Sequence, residues 1–419
     1  MAQPLFRRPP GTRDLLPPIT DRMRAMVEVF ADEATKAGLG HVTPPMFEDV
    51  GVFVRLGEAT DVVTKELYSF EDKGGRTIAL RPEQTASLCR VFVENRPGVP
   101  WKAWYHGANF RYESSQKGRY RQFDQVGAEV IGSSDPDVDT ELIVLAWRFY
   151  ERIGLRNVRL LLNSLGDPAD RVAYTDALFR HFTDHEADLS EQSRVTLASN
   201  PLRVMDSKRD ADQHIVASAP SLADFLSDQA AAGFERVQAG LTALGIPFEI
   251  EPRLVRGLDY YNRTTFEYVA DSLDAAQNAV GGGGRYDGLV ANLGGPDEPG
   301  IGFALGVDRT LLACDAEGVF GAPATDPQVW VVAATEGLEG LGLVDELRRA
   351  GLRSDRIEST RSMKAQMKRA NKSGADVAVI VGEDEVARQE VTIKPLRGQG
   401  DQHSVPVGQL LTAVQEYLQ

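Results

Sequence analysis

The chain has 419 residues, a formal net charge of −15 at pH 7, a hydrophobic fraction of 42% and a charged fraction of 26%. That length holds two or three domains with cores of their own, and no apolar run approaches the roughly 18 residues of a membrane span. Cys89 and Cys314 are the only cysteines, which argues against a disulfide framework and fits a reducing, cytoplasmic setting, while the acidity means that nucleic acid must be met by a local basic surface.

From the N-terminus, MAQPLFRRPPGTRDLLPP has an Arg pair with no apolar run behind it, the wrong pattern for a secretory signal. Residues 21–37 predict an amphipathic helix, with Met23, Met26, Val27, Phe30 and Ala34 at helical spacing and Gly38 as its stop. The stretch 47–56 is apolar enough to pack against a partner. Residues 61–80 read as strands and turns, with a hairpin at Gly74-Gly75. Arg81-Pro82-Glu83-Gln84-Thr85 then opens a helix, with Pro near its start and Glu in its first turn. Glu83 in that place is either a partner of the helix dipole or a ligand contact.

The densest polar chemistry lies in 101–131. Two strands, 104–111 and 123–131, are joined by a loop carrying Lys117, Arg119 and Arg121. Guanidinium forks on such a loop can take phosphate oxygens in bidentate fashion. Gln125 and Glu129 share one face of the second strand. Polar groups on a buried face cost stability unless something pairs with them, so this face meets either a ligand or solvent. Residues 136–153 form a helix with Asp135 as N-cap and Gly154 after it, and 158–162 a buried strand. From 167 to 245 the pattern is helical and polar, as in an inserted subdomain. His181 and His185 there have the spacing of a metal pair but no third ligand, so no metal site is expected.

After a strand near Phe248, the stretch RLVRGLDYYNRTTFEY at 253–268 sets Arg256, Tyr260 and Tyr261 between β-prone flanks, as a turn or strand end that grips something polar. The run Gly281-Gly282-Gly283-Gly284-Arg285-Tyr286 lets backbone approach a ligand because no Cβ intervenes. A buried arginine and a glycine linker are the structural alternative for these two stretches. Residues 301–312 run from strand into helix, with Asp308-Arg309 near the junction. The glycines of 300–306 miss the dinucleotide fingerprint by one residue and lack its βαβ setting, and no G-x-x-x-x-G-K-[ST] occurs.

Residues 321–325 read as a linker. Beyond it, strands at 329–334, 375–381 and 390–396 and helices at 337–350, 361–373 and 406–418 make a small α/β domain of nearly balanced charge. In helix 361–373, Arg361, Lys364, Lys368 and Lys372 fall on one stripe and Met363, Met367 and Ala370 on the other. Such a helix buries its Met side and offers a basic ridge, which is either a solvated face or a track for phosphates.

These stretches resemble the class II aminoacyl-tRNA synthetases over nearly the whole chain. Phe110-Arg111-x-Glu113, with the cationic loop and Phe123, resembles motif 2 of that class, Gly302-Phe303-Ala304-Leu305-Gly306-Val307-Asp308-Arg309 resembles motif 3, and the region around Pro45 resembles motif 1. Leu254-Val255-Arg256-Gly257-Leu258-Asp259-Tyr260-Tyr261 and Gly282-Gly283-Gly284-Arg285-Tyr286-Asp287 resemble the two signature motifs of the histidyl-tRNA synthetase family. The resemblance implies an α+β fold: a catalytic domain over 1–325 on an antiparallel six-stranded sheet flanked by helices, with the 167–245 helical insertion, then an α/β anticodon-binding domain over 326–419. It implies activation of L-histidine by ATP with Mg²⁺, transfer to tRNA-His, and a homodimer.

By position, Arg111 would hold the α-phosphate and carboxylate, Glu113 the adenine, and Arg119 and Arg309 the outer phosphates. Arg256 would be the catalytic arginine. Glu83, Thr85 and Gln125 match ligands of the α-amino group, and Glu129, Tyr260, Tyr261 and Tyr286 belong with the imidazole pocket. Gln84, Asp124 and Ser114-Ser115 depart from commoner forms in the family. A histidine-binding regulatory paralogue tends to lose the arginine at 256 and the C-terminal domain, both of which this chain keeps. A synthetase for another amino acid is opposed by the two signature motifs.

Overall fold

Phe30, on the helix Ile19–Lys36, is fully buried and meets Trp104, Phe149 and Phe303 edge-on, with ring centres 6.1, 5.5 and 6.0 Å apart. That cluster marks the core of the first of two units, 1–322 and 323–419. The computed structural model describes residues 5–54, 65–113, 118–205, 207, 209–254, 260–274, 277–358, 360–398 and 400–418.

In chain order the first unit's strands are β1 (Gly40–His41), β2 (Phe47–Asp49), β3 (Tyr68–Glu71), β4 (Thr77–Leu80), β5 (Trp101–Phe110), β6 (Gln122–Ile131), β7 (Val158–Ser164), β8 (Glu249–Ile250), β9 (Asn262–Ala270), β10 (Ala279–Arg285) and β11 (Gly300–Gly306). The main sheet runs β1-β5-β6-β11-β10-β9-β7-β8. Its six central strands are antiparallel throughout, and the short β1 and β8 add one parallel strand at each edge, so the expected six-stranded sheet is eight-stranded. A separate sheet, β2-β4-β3, carries the hairpin at Gly75, whose φ of +76° only glycine takes without strain.

Alternation assigns the two faces of the main sheet. Val126, Ala128 and Val130 of β6, Ile301, Phe303 and Leu305 of β11, and Phe266 and Tyr268 of β9 enter the core under helices Ile19–Lys36, Pro136–Arg152 and Asp228–Ala243. Their neighbours face the other way, and there the site lies. Helix Pro136–Arg152 starts as the sequence predicts, with the Asp135 side chain accepting from the Asp137 N–H.

The polar stretch 167–245 does not behave as one body. Helix Asp228–Ala243 puts Val237 and Leu241 into the main core. Helices Pro168–Asp184 and Asp210–Ala217 instead share a core of their own around Leu178, Phe182 and Ile215. His181 and His185 hydrogen-bond to carbonyl oxygens of Ile215 and His181, and no cluster of metal ligands occurs among the described residues.

The second unit holds β12 (Val329–Ala334), β13 (Ser354–Arg356), β14 (Val377–Gly382), β15 (Glu390–Pro395) and β16 (His403–Pro406), in the order β13-β12-β14-β15-β16. The first three are parallel and the last two antiparallel. Helices Glu339–Arg349 and Leu410–Leu418 cover one face and Met363–Lys372 the other. The last of these departs from the sequence reading. Met363 is exposed, while Met367 packs partly buried against the core, and the buried positions are Gln366 and Ala370. The Gln366 amide accepts from Ala333 N at 3.0 Å and donates to Ala333 O at 2.7 Å, extending the ladder of β12 with a side chain. Hydrophobic spacing cannot see that pairing, because it needs a strand end opposite the helix.

Candidate active site

Glu129 sits on the face of β6 away from the core and has no solvent exposure. One carboxylate oxygen accepts from Thr85 Oγ1 and the other from the Tyr286 hydroxyl, each at 2.7 Å. Burial pushes this carboxyl well above the usual range, against those two hydrogen bonds, and nearby Glu83 pushes the same way. Two glycines of β11 make the arrangement possible. A Cβ at Gly302, the cross-strand partner of Glu129, would coincide with the carboxylate, and one at Gly300 would enter the Tyr286 ring. The glycine run of β10 is spent mainly on packing: Cβ atoms at Gly281 and Gly283 would strike Leu305 and Phe303, and one at Gly284 would lie 3.0 Å from the Tyr261 ring. Gly281 and Gly282 line the cavity described next.

Thr85 begins the helix Thr85–Asn95, so Pro82 and Glu83 precede that helix instead of lying in its first turn. Glu83 is buried and accepts the N–H groups of Thr85 at 2.6 Å and Ala86 at 3.0 Å, capping the helix from outside. Burial raises its carboxyl, and the two backbone donors and Arg111 oppose that. Glu83 therefore caps the helix and also lines a cavity of about 400 Å³ on the sheet.

That cavity brings together Glu83, Thr85, Gln125, Tyr260 and Tyr261 with Arg111, Glu113, Arg119 and Arg309. Gln125 accepts from Asn109 Nδ2 at 2.7 Å, and the Tyr260 and Tyr261 rings lie 4.6 Å apart. Arg111 is oriented by Pro82 O at 2.9 Å and by the face of Phe123 at 5.3 Å. Arg309 reaches from the first turn of helix Val307–Glu317 to Gly118 O at 3.2 Å and Ala279 O at 3.0 Å. Burial lowers the pKa of Arg309, and Arg119 and Arg111 push it further down, so three like charges are held together. Glu113 lies between Arg111 and Arg119 at 4.0 and 3.9 Å, and Arg119 Nε is buried without a hydrogen-bond partner among the described residues. Cations crowded against their own repulsion, with a donor unspent, are set to receive an anion.

Not every expected residue lies on the cavity wall. Glu129 and Tyr286 lie beneath its floor, joined to it through Thr85, and Tyr260 packs against Tyr286 at 6.0 Å. Arg256, Lys117 and Ser114-Ser115 lie outside the described residues. Gln84 is buried, with its amide nitrogen 3.4 Å from Gly107 O, and the Asp124 N–H donates to Asp308 at 3.1 Å. Arg361, Lys364, Lys368 and Lys372 are exposed in the second unit.

Sequence reasoning missed two groups at the cavity and met a third only as a structural alternative. Glu267 lines the cavity from β9, where its alternation with Phe266 and Tyr268 was a usable signal. Arg13 pairs with Asp308 and stacks 3.9 Å over Tyr120, a contact across the whole unit that no local pattern announces. Arg285 is fully buried, donating to Asp139 at 3.0 Å and to the carbonyls of Ser133 and Asp135. Burial carries the Asp139 carboxyl up to about 7 despite that arginine.

The profile of the family described as histidyl-tRNA synthetase matches residues 11–310, and that of an anticodon binding domain matches residues 328–417. The chain is 45% identical over 413 residues to the histidine–tRNA ligase of Geobacillus kaustophilus, covering 97% of each. It is 46% identical over 413 residues to that of Geobacillus thermodenitrificans, again covering 97% of each. Among solved structures it resembles apo histidyl-tRNA synthetase of S. aureus, with a TM-score of 0.82 and 33% identity over 99% of this chain and 100% of that one.

Proposed function

The chain belongs to the histidyl-tRNA synthetase family, and from that premise we propose how its residues carry the family's reaction. The activity is that of a histidine–tRNA ligase. The histidine carboxylate attacks the α-phosphorus of ATP and the bond to pyrophosphate breaks; a ribose hydroxyl of the terminal adenosine of tRNA-His then attacks the histidyl carbonyl, forming the ester as the bond to AMP breaks and AMP leaves. No protein nucleophile is needed, so the enzyme's work is positioning and the stabilisation of charge on phosphate oxygens.

Arg111 holds the α-phosphate and the histidine carboxylate, Arg119 and Arg309 take the outer phosphates, Glu113 contacts adenine, and Arg256 stabilises the expanding phosphorus. The observation that carries this reading is the convergence of three guanidinium groups on one cavity, with Arg119 Nε making no hydrogen bond among the described residues. Glu83, Thr85 and Gln125 receive the α-amino group at the same cavity. The Tyr261 hydroxyl receives the imidazole at the cavity wall, and Glu129, beneath the floor, takes part through Thr85. A carboxylate offers about four lone-pair sites, and Thr85 and Tyr286 take one each. An apolar analogue would leave buried acceptors unpaired, which discriminates by roughly 10⁴ or more without editing.

Mg²⁺ fits the donor chemistry present. It keeps most of its shell as water and phosphate oxygen and takes one or two protein carboxylates, and Glu267 faces the cavity near Arg309. Glu267 would hold the ion, which when bound offsets phosphate charge.

The first unit acts as the catalytic domain and the second reads the anticodon, with Lys364, Lys368 and Lys372 and the neighbouring Arg361 on the tRNA backbone. A homodimer is supported by the β2-β4-β3 sheet, where pairing puts Phe47, Tyr68, Phe70, Ile78 and Leu80 on one face and leaves Phe47 and Phe70 55% and 49% exposed. No helix among the described residues is long and apolar enough to cross a membrane, and two free, buried cysteines suit the reducing cytoplasm. Pyrophosphate exchange with each amino acid supplied alone tests the whole reading. Exchange with histidine supports it, and exchange with another amino acid alone refutes it.

A further inference from the structure

The strand that leaves Tyr260 and Tyr261 passes through Arg263, whose φ is +47°. That left-handed conformation is costly for a residue with a Cβ and persists only where the surroundings over-determine it. Here β9 is bulged, the register slipping between Gly284 and Arg285. Arg263 N donates to Gly166 O at 2.9 Å, and its carbonyl accepts from Leu165 N at 2.7 Å. Its side-chain Nε donates to Asp167 at 2.6 Å, and the guanidinium lies 4.0 Å from Asp287, next to Tyr286.

Asp167 is the point where the helical insertion begins. It is the N-cap residue of helix Pro168–Asp184, and its N–H donates to the Asp170 carboxylate at 3.0 Å. The second oxygen of Asp167 accepts from Ser227 Oγ at 3.4 Å, and Ser227 caps helix Asp228–Ala243, where the chain rejoins the main core. One carboxylate therefore gathers both ends of the insertion and Arg263, two residues beyond Tyr261. The insertion's own core meanwhile includes Tyr261 and has Tyr260 packed against it. The pair is largely buried, its side chains 26% and 25% exposed, and it holds the left-handed residue where both ends of the insertion meet the strand that leaves the tyrosine pair.

We infer that Asp167 and Arg263 are positioning residues whose ion pair couples the placement of the helical insertion to the Tyr260–Tyr261 wall, and so sets affinity for the amino acid rather than for ATP. The inference rests on the assignment of Tyr261 to the histidine subsite. Asp167→Asn is the informative variant, since Asn caps a helix about as well as Asp while giving up the charge. In pyrophosphate exchange it should raise the histidine KM by about tenfold, the loss of one charge-assisted hydrogen bond, and leave the ATP KM within about twofold. Arg263→Met should do the same, Arg263→Lys less, and the double variant Asp167→Asn/Arg263→Met no more than either single one. An unchanged histidine KM overturns the coupling. So does a parallel change in both KM values and kcat that tracks a fall in Tm, which marks a merely structural pair. Tyr261→Phe separates the two layers. If it raises the histidine KM while Asp167→Asn does not, the subsite stands and the coupling falls. If it leaves the histidine KM unchanged, the subsite assignment itself falls.

Discussion

Gly302 touches no substrate in the proposed mechanism, yet Gly302→Ala should cripple histidine recognition. The added methyl would coincide with the Glu129 carboxylate and lie 2.7 Å from Ala128 O, so backbone blocks one escape and the side chain must vacate the other. Leaving means giving up Thr85 and Tyr286, each 2.7 Å away, in a site with no solvent to replace them. Each buried polar group left unsatisfied costs about 1–3 kcal/mol, so the disturbance amounts to about 3 kcal/mol. Since about 1.4 kcal/mol is tenfold in affinity, the histidine KM should rise about a hundredfold. The ATP KM should move little, because Arg111, Arg119 and Arg309 are held by contacts that do not involve Glu129. The assay is pyrophosphate exchange with histidine varied at saturating ATP, with circular dichroism to confirm the fold. A folded variant whose histidine KM stays within about threefold of the parent would refute the reasoning, because Glu129 would then be free to move or irrelevant.

Arg256→Ala should lower the rate of adenylate formation far more than it weakens histidine binding, and equal losses in single-turnover rate and binding would contradict a role at the expanding phosphorus. Neutralising Lys364 and Lys368 should weaken tRNA binding and reduce the slope of log K against log salt by about 1.5, with pyrophosphate exchange intact; an unchanged slope makes the ridge a solvated face. Gln366→Leu should strip Ala333 of both its partners and destabilise the second unit by about 2–4 kcal/mol in denaturant unfolding, whereas a loss below about 0.5 kcal/mol would mean that water replaces them. Burial alone would raise the Asp212 carboxyl, but Ser190 N and the hydroxyls of Ser193, Ser207 and Ser190 outweigh it and bring the group down to about 2. Its stabilising contribution is therefore present above the ordinary carboxylate value and lost as pH falls toward 2. Asp212→Asn should flatten that part of the stability–pH curve, and calorimetry from pH 5 to the acid limit would detect its failure to do so.

Much of the site was legible because its residue types are costly anywhere else. Glu129 on an apolar strand, an arginine-rich loop between strands and Tyr-Tyr beside Arg256 each demand a partner that local structure does not supply. The glycines were read less well. Gly281 looked like backbone left bare for a ligand and does line the cavity, but it and Gly283 also make room for Leu305 and Phe303, while Gly300 and Gly302, read as a failed fingerprint and, for Gly302, as the start of motif 3, seat Tyr286 and Glu129. A glycine says that something comes close; which neighbour does so is a property of strand register.

What the sequence determined alone was whatever depends on periodicity and on the chemistry of near neighbours: the helix at Ile19–Lys36, the strand pair β5–β6, the Asp135 cap and the cationic loop. Only the tertiary structure decided which polar groups meet: Glu129 with Tyr286, Arg13 with Asp308, Asp167 with Arg263 and Gln366 with Ala333. Such contacts join residues far apart in the chain, and their strength comes from burial, a quantity that exists only once the sheet has closed over them.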